Sequence, residues 1–253
     1  MPLAVIDSNE PLQREFQPVV DEMIRAFRSA LSSNLHSLYL FGSVARKTAV
    51  PNASDINFIV VTHTHAESTT LVNTVRWRLS KKYPFVREFD IRFAAVNEVA
   101  SLDSLFSWGF LLKHCSMCIY GDSLADCFGH YEPSWEIAKH WNMDIKDWLA
   151  FYRNKLGHAS SEQEQLKAQM AIGKKLLRAS YGVVMYRDKQ WFDSPIDCGD
   201  RFVDYYPEKA RDIGRAKMLL KPRLIHKRSV VGLMDDYGQW LANEYEKTEF
   251  RIG

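Results

Sequence analysis

Residues 39–61 constrain the fold more than any other stretch of the chain. An apolar run ends at Phe41, Gly42 and Ser43 follow, and a polar loop leads to a second apolar run at residues 56–61. Short apolar runs bounded by turn-forming residues are typical of buried strands. Gly42 permits a tight turn because it has no Cβ. We therefore predict two strands joined by an exposed loop, with Asp55 at the entrance of the second.

Polar residues at fixed positions in these strands suggest a shared site. Asp55 and Asn57 are two residues apart, so an extended chain presents their side chains on the same face. Residues 86–96 alternate around Asp90 and predict a further strand that carries a second carboxylate. The simpler interpretation is structural: Asp55 caps a turn, and Arg92 or Arg87 pairs with Asp90.

The order of Gly42-Ser43, an Asp-x-Asn at Asp55 to Asn57, and a later Asp90 resembles the polymerase-β-type nucleotidyltransferase superfamily. In that family an Asp-x-Asp follows Gly-Ser by about a dozen residues; here eleven residues intervene, and Asn57 stands at the second aspartate position. The resemblance implies an α+β fold, a nucleotidyltransferase-fold mixed β-sheet domain with flanking helices. It also implies an enzyme that transfers a nucleoside monophosphate, AMP from Mg-ATP, to a hydroxyl of a small molecule or protein.

Nucleotidyl transfer depends on positioning the phosphates and neutralising their charge. Asp55, Asn57 and Asp90 are the predicted ligands of Mg²⁺ or Mn²⁺, which prefer oxygen donors. Asp55 and Asp90 are the predicted catalytic residues, with Asp90 as the base for the acceptor hydroxyl. A helix expected after Ser43 is also predicted to contribute to ATP binding. The predicted ATP-binding residues are Gly42, Ser43, Arg46 and Lys174.

Asn57 provides a neutral amide oxygen where the family has a second carboxylate. The site therefore carries one negative charge fewer than the family pattern, and its affinity for cations should fall. Two interpretations remain open. Either the enzyme is active with two carboxylates, or the domain is a weakened or silent nucleotide-binding, antitoxin-like module that acts through a protein partner.

The second half of the chain changes in character. From Trp135 onward, residues 135–157, 162–187, 200–220 and 227–248 show helical spacing, and we predict an all-α helical bundle. We place the domains at 1–130 and 131–253. Residues 176–192 resemble the helical domain of aminoglycoside adenylyltransferases, although Asp193, Ser194 and Pro195 stand where those enzymes commonly carry a lysine. The aromatic residues at 135, 141, 148 and 152 are predicted to be core, and Lys174 and Lys175 are assigned to a solvated face or to phosphate.

Composition narrows the function classes. A net charge of +2 in 253 residues gives no basic footprint for nucleic acid or a membrane surface. No apolar run approaches about 18 residues, and the N-terminus lacks a secretory pattern. Four cysteines do not form a disulfide scaffold, so a cytoplasmic location is predicted. The oligomeric state is not predicted.

Two further motifs have alternative interpretations. Cys115, Cys118, Cys127 and His130 have a spacing that zinc sites use, but thiols packed in the fold are the favoured interpretation. Arg153 and His158 match the Arg-x₄-His motif of small helical ribonucleases, for which a helix end near Gly157 is the simpler explanation.

Overall fold

The computed structural model describes residues 3–7, 10–65 and 69–252. Internal contacts divide the chain into two compact units, with the division between Tyr131 and Glu132. The first unit contains every strand of the described chain, and the described part of the second is helical. None of the helices in these described ranges combines the length and the apolar character needed to cross a bilayer.

The first unit is built on a four-stranded mixed sheet in the order β3-β2-β1-β4. The strands are β1 (Leu35–Phe41), β2 (Ile56–Thr62), β3 (Phe89–Ala95) and β4 (Ser116–Gly121). Strand β1 is antiparallel to both β2 and β4, whereas β2 and β3 are parallel. Strand β2 is central and almost wholly buried, as its apolar sequence predicts for a strand covered on both faces.

Helices α1 (Gln17–Leu31), α2 (Thr69–Lys82) and the four-residue α3 (Val96–Val99) accompany the sheet. Residues 102–115 form three short helical turns, at Leu102–Ser104, Leu105–Gly109 and Leu111–Cys115. The apolar stripe of α1 lies in a core with the buried side chains of β1 and β2. Glu22 on α1 is bonded to Lys82 and to the Tyr83 hydroxyl, which links α1 to the end of α2.

The second unit consists of seven helices in its described part. They are α4 (Trp135–Asn142), α5 (Ile145–His158), α6 (Glu162–Asp188), α7 (Pro195–Tyr205), α8 (Ala210–Met218), α9 (Lys227–Leu233) and α10 (Gln239–Ile252). A single π-helical turn, Met234–Gly238, joins α9 to α10. The long helix α6 is central and supplies many of the buried side chains of this unit.

Local capping explains where several of these helices begin. Ser161 accepts a hydrogen bond from the Glu164 amide, and Glu164 accepts one from the Ser161 amide, so a capping box starts α6. Ser194 accepts from the Asp197 amide at 3.3 Å, and Pro195 occupies the first turn of α7. The Asp-Ser-Pro sequence that departs from the adenylyltransferase pattern therefore serves as a helix start.

The helix predicted over residues 135–157 is in fact two helices. Lys175 of α6 donates to the Trp141 carbonyl at 2.7 Å and to Asp144 Oδ1 at 3.3 Å. It thereby satisfies a carbonyl that the end of α4 leaves without a helical partner. The assignment of Lys175 to a solvated face is wrong, since its side chain is 15% exposed. Trp141 is exposed rather than core, whereas Trp135 is buried as predicted.

Candidate nucleotide site

A tight turn follows β1 at Gly42 and Ser43. Gly42 has φ +81°, a conformation that L-residues with a Cβ rarely adopt. A Cβ at this position would also lie 2.7 Å from Asn57 Nδ2, so the turn requires glycine for space as well as for conformation. The Arg46 amide donates to the Gly42 carbonyl, and the Thr48 amide donates to the Ser43 carbonyl.

The helix predicted after Ser43 is absent, and that prediction is wrong. Residues 43–47 form turns, and Lys47 ends them in the left-handed region with φ 60°. Lys47 Nζ then donates to the Asp7 carbonyl at 3.0 Å and to Glu10 at 2.8 Å. Lys47 therefore braces the loop, and no local sequence pattern indicates this role. Ser43 and Arg46 are half-buried in this loop.

The sheet register brings Asn57 and Asp90 together. Asn57 of β2 is the direct partner of Asp90 on β3 and of Phe41 on β1. Its Nδ2 donates to the Phe41 carbonyl at 3.4 Å and packs against Gly42. Because Nδ2 faces the Phe41 carbonyl, the amide oxygen of Asn57 faces away from it. The predicted association of Gly42, Asn57 and Asp90 is present in the first unit.

Asp55 is held by Arg87, an arginine predicted as a possible partner of Asp90. Arg87 Nε donates to Asp55 Oδ1 at 2.7 Å, and Arg87 Nη2 is bonded to Asp55 Oδ2, so both carboxylate oxygens are engaged. The hydrogen bond to Asp55 is the main reason why the pKa of Arg87 is raised. The two side chains are 24% and 27% exposed.

Backbone bonds fix this pair in register. The Arg87 amide donates to the Ser54 carbonyl at 3.2 Å, and the Ile56 amide donates to the Glu88 carbonyl at 2.9 Å. These bonds extend the parallel β2–β3 ladder beyond the strand ends, so Arg87 and Asp55 stand on adjacent backbone segments. Pairing of Asp55 with Arg87 is therefore a consequence of the sheet topology.

Asp90 has its own arginine. Arg92 donates from Nε to Asp90 Oδ2 at 3.1 Å, and its Nη2 lies 3.0 Å from the same oxygen. The Arg92 guanidinium also lies 4.8 Å from the centre of the Phe41 ring, a cation–π distance. This pair is more open to solvent, with side chains 39% and 49% exposed. The suggestion that Arg92 pairs with Asp90 is confirmed, and the one that Arg87 does so is wrong.

Comparison with known proteins identifies this part of the chain. Residues 20–102 match the family model described as "Nucleotidyltransferase domain". This stretch is therefore similar to nucleotidyltransferase domains. The matched range spans the Gly42 turn and the β2 and β3 residues described above, and the resemblance predicted from them is confirmed. The match supports an enzyme of the nucleotidyltransferase type.

A solved structure extends the likeness beyond residues 20–102. The spectinomycin adenyltransferase AAD(9) from Enterococcus faecialis, solved with ATP and spectinomycin, aligns with a TM-score of 0.52 over 90% of this chain and 98% of its own. Sequence identity is 14%, so the likeness is one of fold. It confirms the predicted fold class, an α+β nucleotidyltransferase-fold domain followed by an all-α region. No curated protein sequence matches the chain.

The donor set of the first unit fits one divalent cation better than two. Within the described ranges, no three His, Cys, Asp or Glu side chains come together as a metal cluster. Asn57 adds only a neutral oxygen, and each of the two carboxylates already has a guanidinium partner. One Mg²⁺ commonly uses one or two carboxylates plus water and phosphate oxygens. Asp55, Asn57 and Asp90 could supply the protein ligands of such an ion. A two-ion cluster lacks the negative charge it needs.

The remaining predicted residues lie in other surroundings. Lys174 is half-buried on α6 of the second unit, and its role in nucleotide binding stays a prediction. Cys115 is buried, Cys118 is partly buried and Cys127 is exposed, and none of these three cysteines forms a disulfide. Arg153 is ion-paired with Asp235, and His158 Nδ1 bonds the Asn154 carbonyl at the end of α5.

Proposed function

We propose that this protein transfers a nucleoside monophosphate, AMP from Mg-ATP, to a hydroxyl group of a small-molecule or protein acceptor. The observation that carries the proposal is the Gly42 turn packed against Asn57, with Asp90 as the register partner of Asn57. In this arrangement the Gly42 turn, which has no side chain at its first position, lies beside oxygen donors. These donors are on the neighbouring strands β2 and β3. The family match over residues 20–102 supports the reaction class.

Each residue has a defined part in this reaction. Gly42 lets the phosphates approach the backbone, and Ser43 offers its hydroxyl and its amide N–H to phosphate oxygens. Arg46 and Lys174 are further candidates for phosphate contacts. Asp55, Asn57 and Asp90 would hold Mg²⁺ (or Mn²⁺), which neutralises charge on the phosphates when bound.

The transfer step exchanges one bond at the α-phosphorus of ATP for another. The acceptor hydroxyl oxygen forms a bond to the α-phosphorus of ATP, and the bond from that phosphorus to the bridging oxygen breaks, so pyrophosphate leaves. Asp90 takes the hydroxyl proton. Arg92 contacts Asp90 only at Oδ2, which leaves Oδ1 outside that ion pair as the proton acceptor.

The choice of ATP and of a small acceptor draws on the structural neighbour, which was solved with ATP and spectinomycin. A hydroxyl-bearing small molecule is therefore the first acceptor class to test. The chain is placed in the cytoplasm in this proposal, where Mg-ATP is available.

A second candidate function has an observation in its favour. Asn57 removes one carboxylate, and Arg87 engages both oxygens of Asp55. Both features lower the affinity of the site for divalent cations. This is expected for a nucleotide-binding module that has lost the transfer activity and acts through a protein partner.

One experiment separates the two candidates. ATP is titrated into the protein with Mg²⁺ by calorimetry, and pyrophosphate release is then followed on addition of hydroxyl acceptors, beginning with spectinomycin. Transfer predicts release that depends on acceptor and falls by at least about 100-fold in Asp90→Asn, because a general base contributes about 10²–10⁴. The exposed Asp103→Asn serves as the control. Binding without release from any acceptor supports the silent module, and absence of nucleotide binding contradicts both.

A further inference from the structure

The Asp55–Arg87 pair conflicts with the use of Asp55 as a metal ligand. Arg87 uses two nitrogens to engage the two oxygens of Asp55, which is the fork-to-fork geometry of the strongest charge-assisted pairs. A divalent ion at Asp55 would stand beside a guanidinium, and two cations at such a separation repel each other. Asp55 can therefore serve one of the two cations well, but not both.

We propose that Arg87 is a built-in competitor of the divalent cation, so that a metal ion binds at Asp55 only by displacing the Arg87 guanidinium. Until it is displaced, the guanidinium occupies Asp55 as a monovalent cation in place of the metal ion. This matches the loss of charge at Asn57, because Asp55, Asn57 and Asp90 together with Arg87 and Arg92 have no net charge. Arg87 becomes a positioning residue that sets the metal affinity of the site.

Burial and geometry assign this role to Arg87 rather than Arg92. The Arg87 and Asp55 side chains are about a quarter exposed, whereas Arg92 and Asp90 are 49% and 39% exposed. Solvent screens exposed pairs strongly and partly buried pairs less. Arg92 also engages a single oxygen of Asp90. Removal of Arg87 should therefore change metal binding more than removal of Arg92.

The inference concerns the site of the proposed function, but its test does not depend on transfer. Mn²⁺ alone is titrated into the full chain, and free Mn²⁺ is measured by electron paramagnetic resonance. Arg87→Met keeps the length of the side chain and removes its charge. We expect Mn²⁺ to bind at least about tenfold more tightly to this variant, since hydrogen bonds to charged groups contribute enough for that factor.

Matched variants assign the gain to the Asp55–Arg87 pair. The double change Asp55→Asn with Arg87→Met should lose the gain, and Arg87→Lys, which keeps one charge without the fork, should show a smaller one. Arg76→Met is the control, because Arg76 Nε donates to the carbonyl of Phe89 in β3, the strand that carries Asp90, at 3.0 Å.

Three results would overturn the proposal. These are equal Mn²⁺ affinity in the wild type and Arg87→Met, a gain of similar size in Arg76→Met, and a gain that persists without Asp55. If Arg87→Met does not fold, Arg87→Lys decides alone, and unchanged affinity in it counts against the proposal. Pyrophosphate release is measured separately, so a failed transfer reaction and a failed metal prediction are distinguishable.

Discussion

At the scale of single residues, Asn57 determines how much negative charge the nucleotide site carries. The resemblance to the family's Asp-x-Asp pattern identifies this position from the sequence, and residues two apart in a strand lie on the same face. The structure adds a reason for an amide: Nδ2 donates to the Phe41 carbonyl and packs against Gly42. A carboxylate at the same place would direct an acceptor oxygen at a carbonyl oxygen.

We predict that Asn57→Asp strengthens Mn²⁺ binding and raises the rate of transfer, because it restores an anion between Asp55 and Asp90. Without metal the variant should be less stable by about 1 kcal/mol, the usual contribution of one hydrogen bond. Added Mn²⁺ should recover that stability by mass action. Thermal unfolding with and without Mn²⁺, together with pyrophosphate release, measures both effects.

The control for Asn57→Asp is Asn73→Asp, which makes the same charge change at an exposed position of α2. It should change neither metal binding nor transfer. If Asn57→Asp leaves Mn²⁺ affinity at the wild-type value, the carboxylate deficit is not what limits the site.

The pairing of the two arginines with the two carboxylates could not be predicted from the sequence. The sequence contains Arg87 and Arg92 on either side of Asp90, and its pattern predicts either of them as the partner of that one carboxylate. Which carboxylate each arginine meets depends on the parallel register of β2 and β3, and a local pattern carries no information about register between strands that are distant in sequence. Gly42 and Asn57, by contrast, were identified from positions within one short stretch.

At the scale of secondary-structure elements, the strands were predicted within a few residues and the helices less well. Apolar runs beside turn residues locate β1 and β2 because burial and local turn chemistry agree. The break between α4 and α5 depends instead on Lys175, which reaches the Trp141 carbonyl from another helix. The helix expected after Ser43 is absent for a similar reason. Lys47 takes a left-handed conformation, and its side chain binds the Asp7 carbonyl and the Glu10 carboxylate.

The junction of α6 and α7 is held by a buried carboxylate. Asp188, with a side chain 1% exposed, accepts from Tyr181 at 2.7 Å, from Tyr205 at 2.8 Å and from Arg201 Nε at 2.9 Å. Burial alone would raise the pKa of Asp188, but hydrogen bonds from Arg201, Tyr181 and Tyr205 outweigh it and lower the pKa. The ionised form is therefore part of the folded structure.

We predict that Asp188→Asn destabilises the protein by about 2–3 kcal/mol at neutral pH, the range for hydrogen bonds to a charged group. Because the folded pKa lies below the unfolded value of about 3.9, the contribution of Asp188 is present above that value. It is lost as pH falls through the folded pKa. Urea unfolding between pH 7 and pH 3 should show a smaller loss in the variant than in the wild type. Asp200→Asn, at an exposed aspartate, is the control; equal slopes in Asp188→Asn and the wild type would contradict the assignment.

At the scale of the whole molecule, each of the two units holds a buried titratable group, so acid acts on the chain at more than one place. In the first unit this group is His114. Its Nδ1 donates to the Ala4 carbonyl at 3.0 Å, and its Nε2 accepts from the Tyr131 amide at 3.1 Å. One nitrogen donates and the other accepts, which requires the neutral ring. His114 thereby fastens the segment at residues 3–7 and the end of the first unit to one another.

We predict that His114 makes this unit less stable as pH falls from 7.5 to 5. Burial lowers the pKa of His114, the bond to Ala4 raises it, and His130 and Lys113 lower it further, with a net shift below 6.5. The unfolded chain therefore takes up a proton near pH 6.5, where the folded protein resists it. The stability due to the neutral ring is complete above that pH, declines below it, and stops declining below the folded pKa.

His114→Gln isolates this effect, because a glutamine amide can donate to Ala4 and accept from Tyr131 without titrating. Urea unfolding of both proteins from pH 7.5 to pH 5 should show wild-type stability falling relative to the variant. Exchange of the Tyr131 amide hydrogen should rise in the wild type over the same range, once corrected for the intrinsic pH dependence of exchange. His140→Gln, at an exposed position of α4, should follow the wild-type profile. A constant difference between wild type and His114→Gln at every pH would mean that the ring is held for its packing and not for its protonation state.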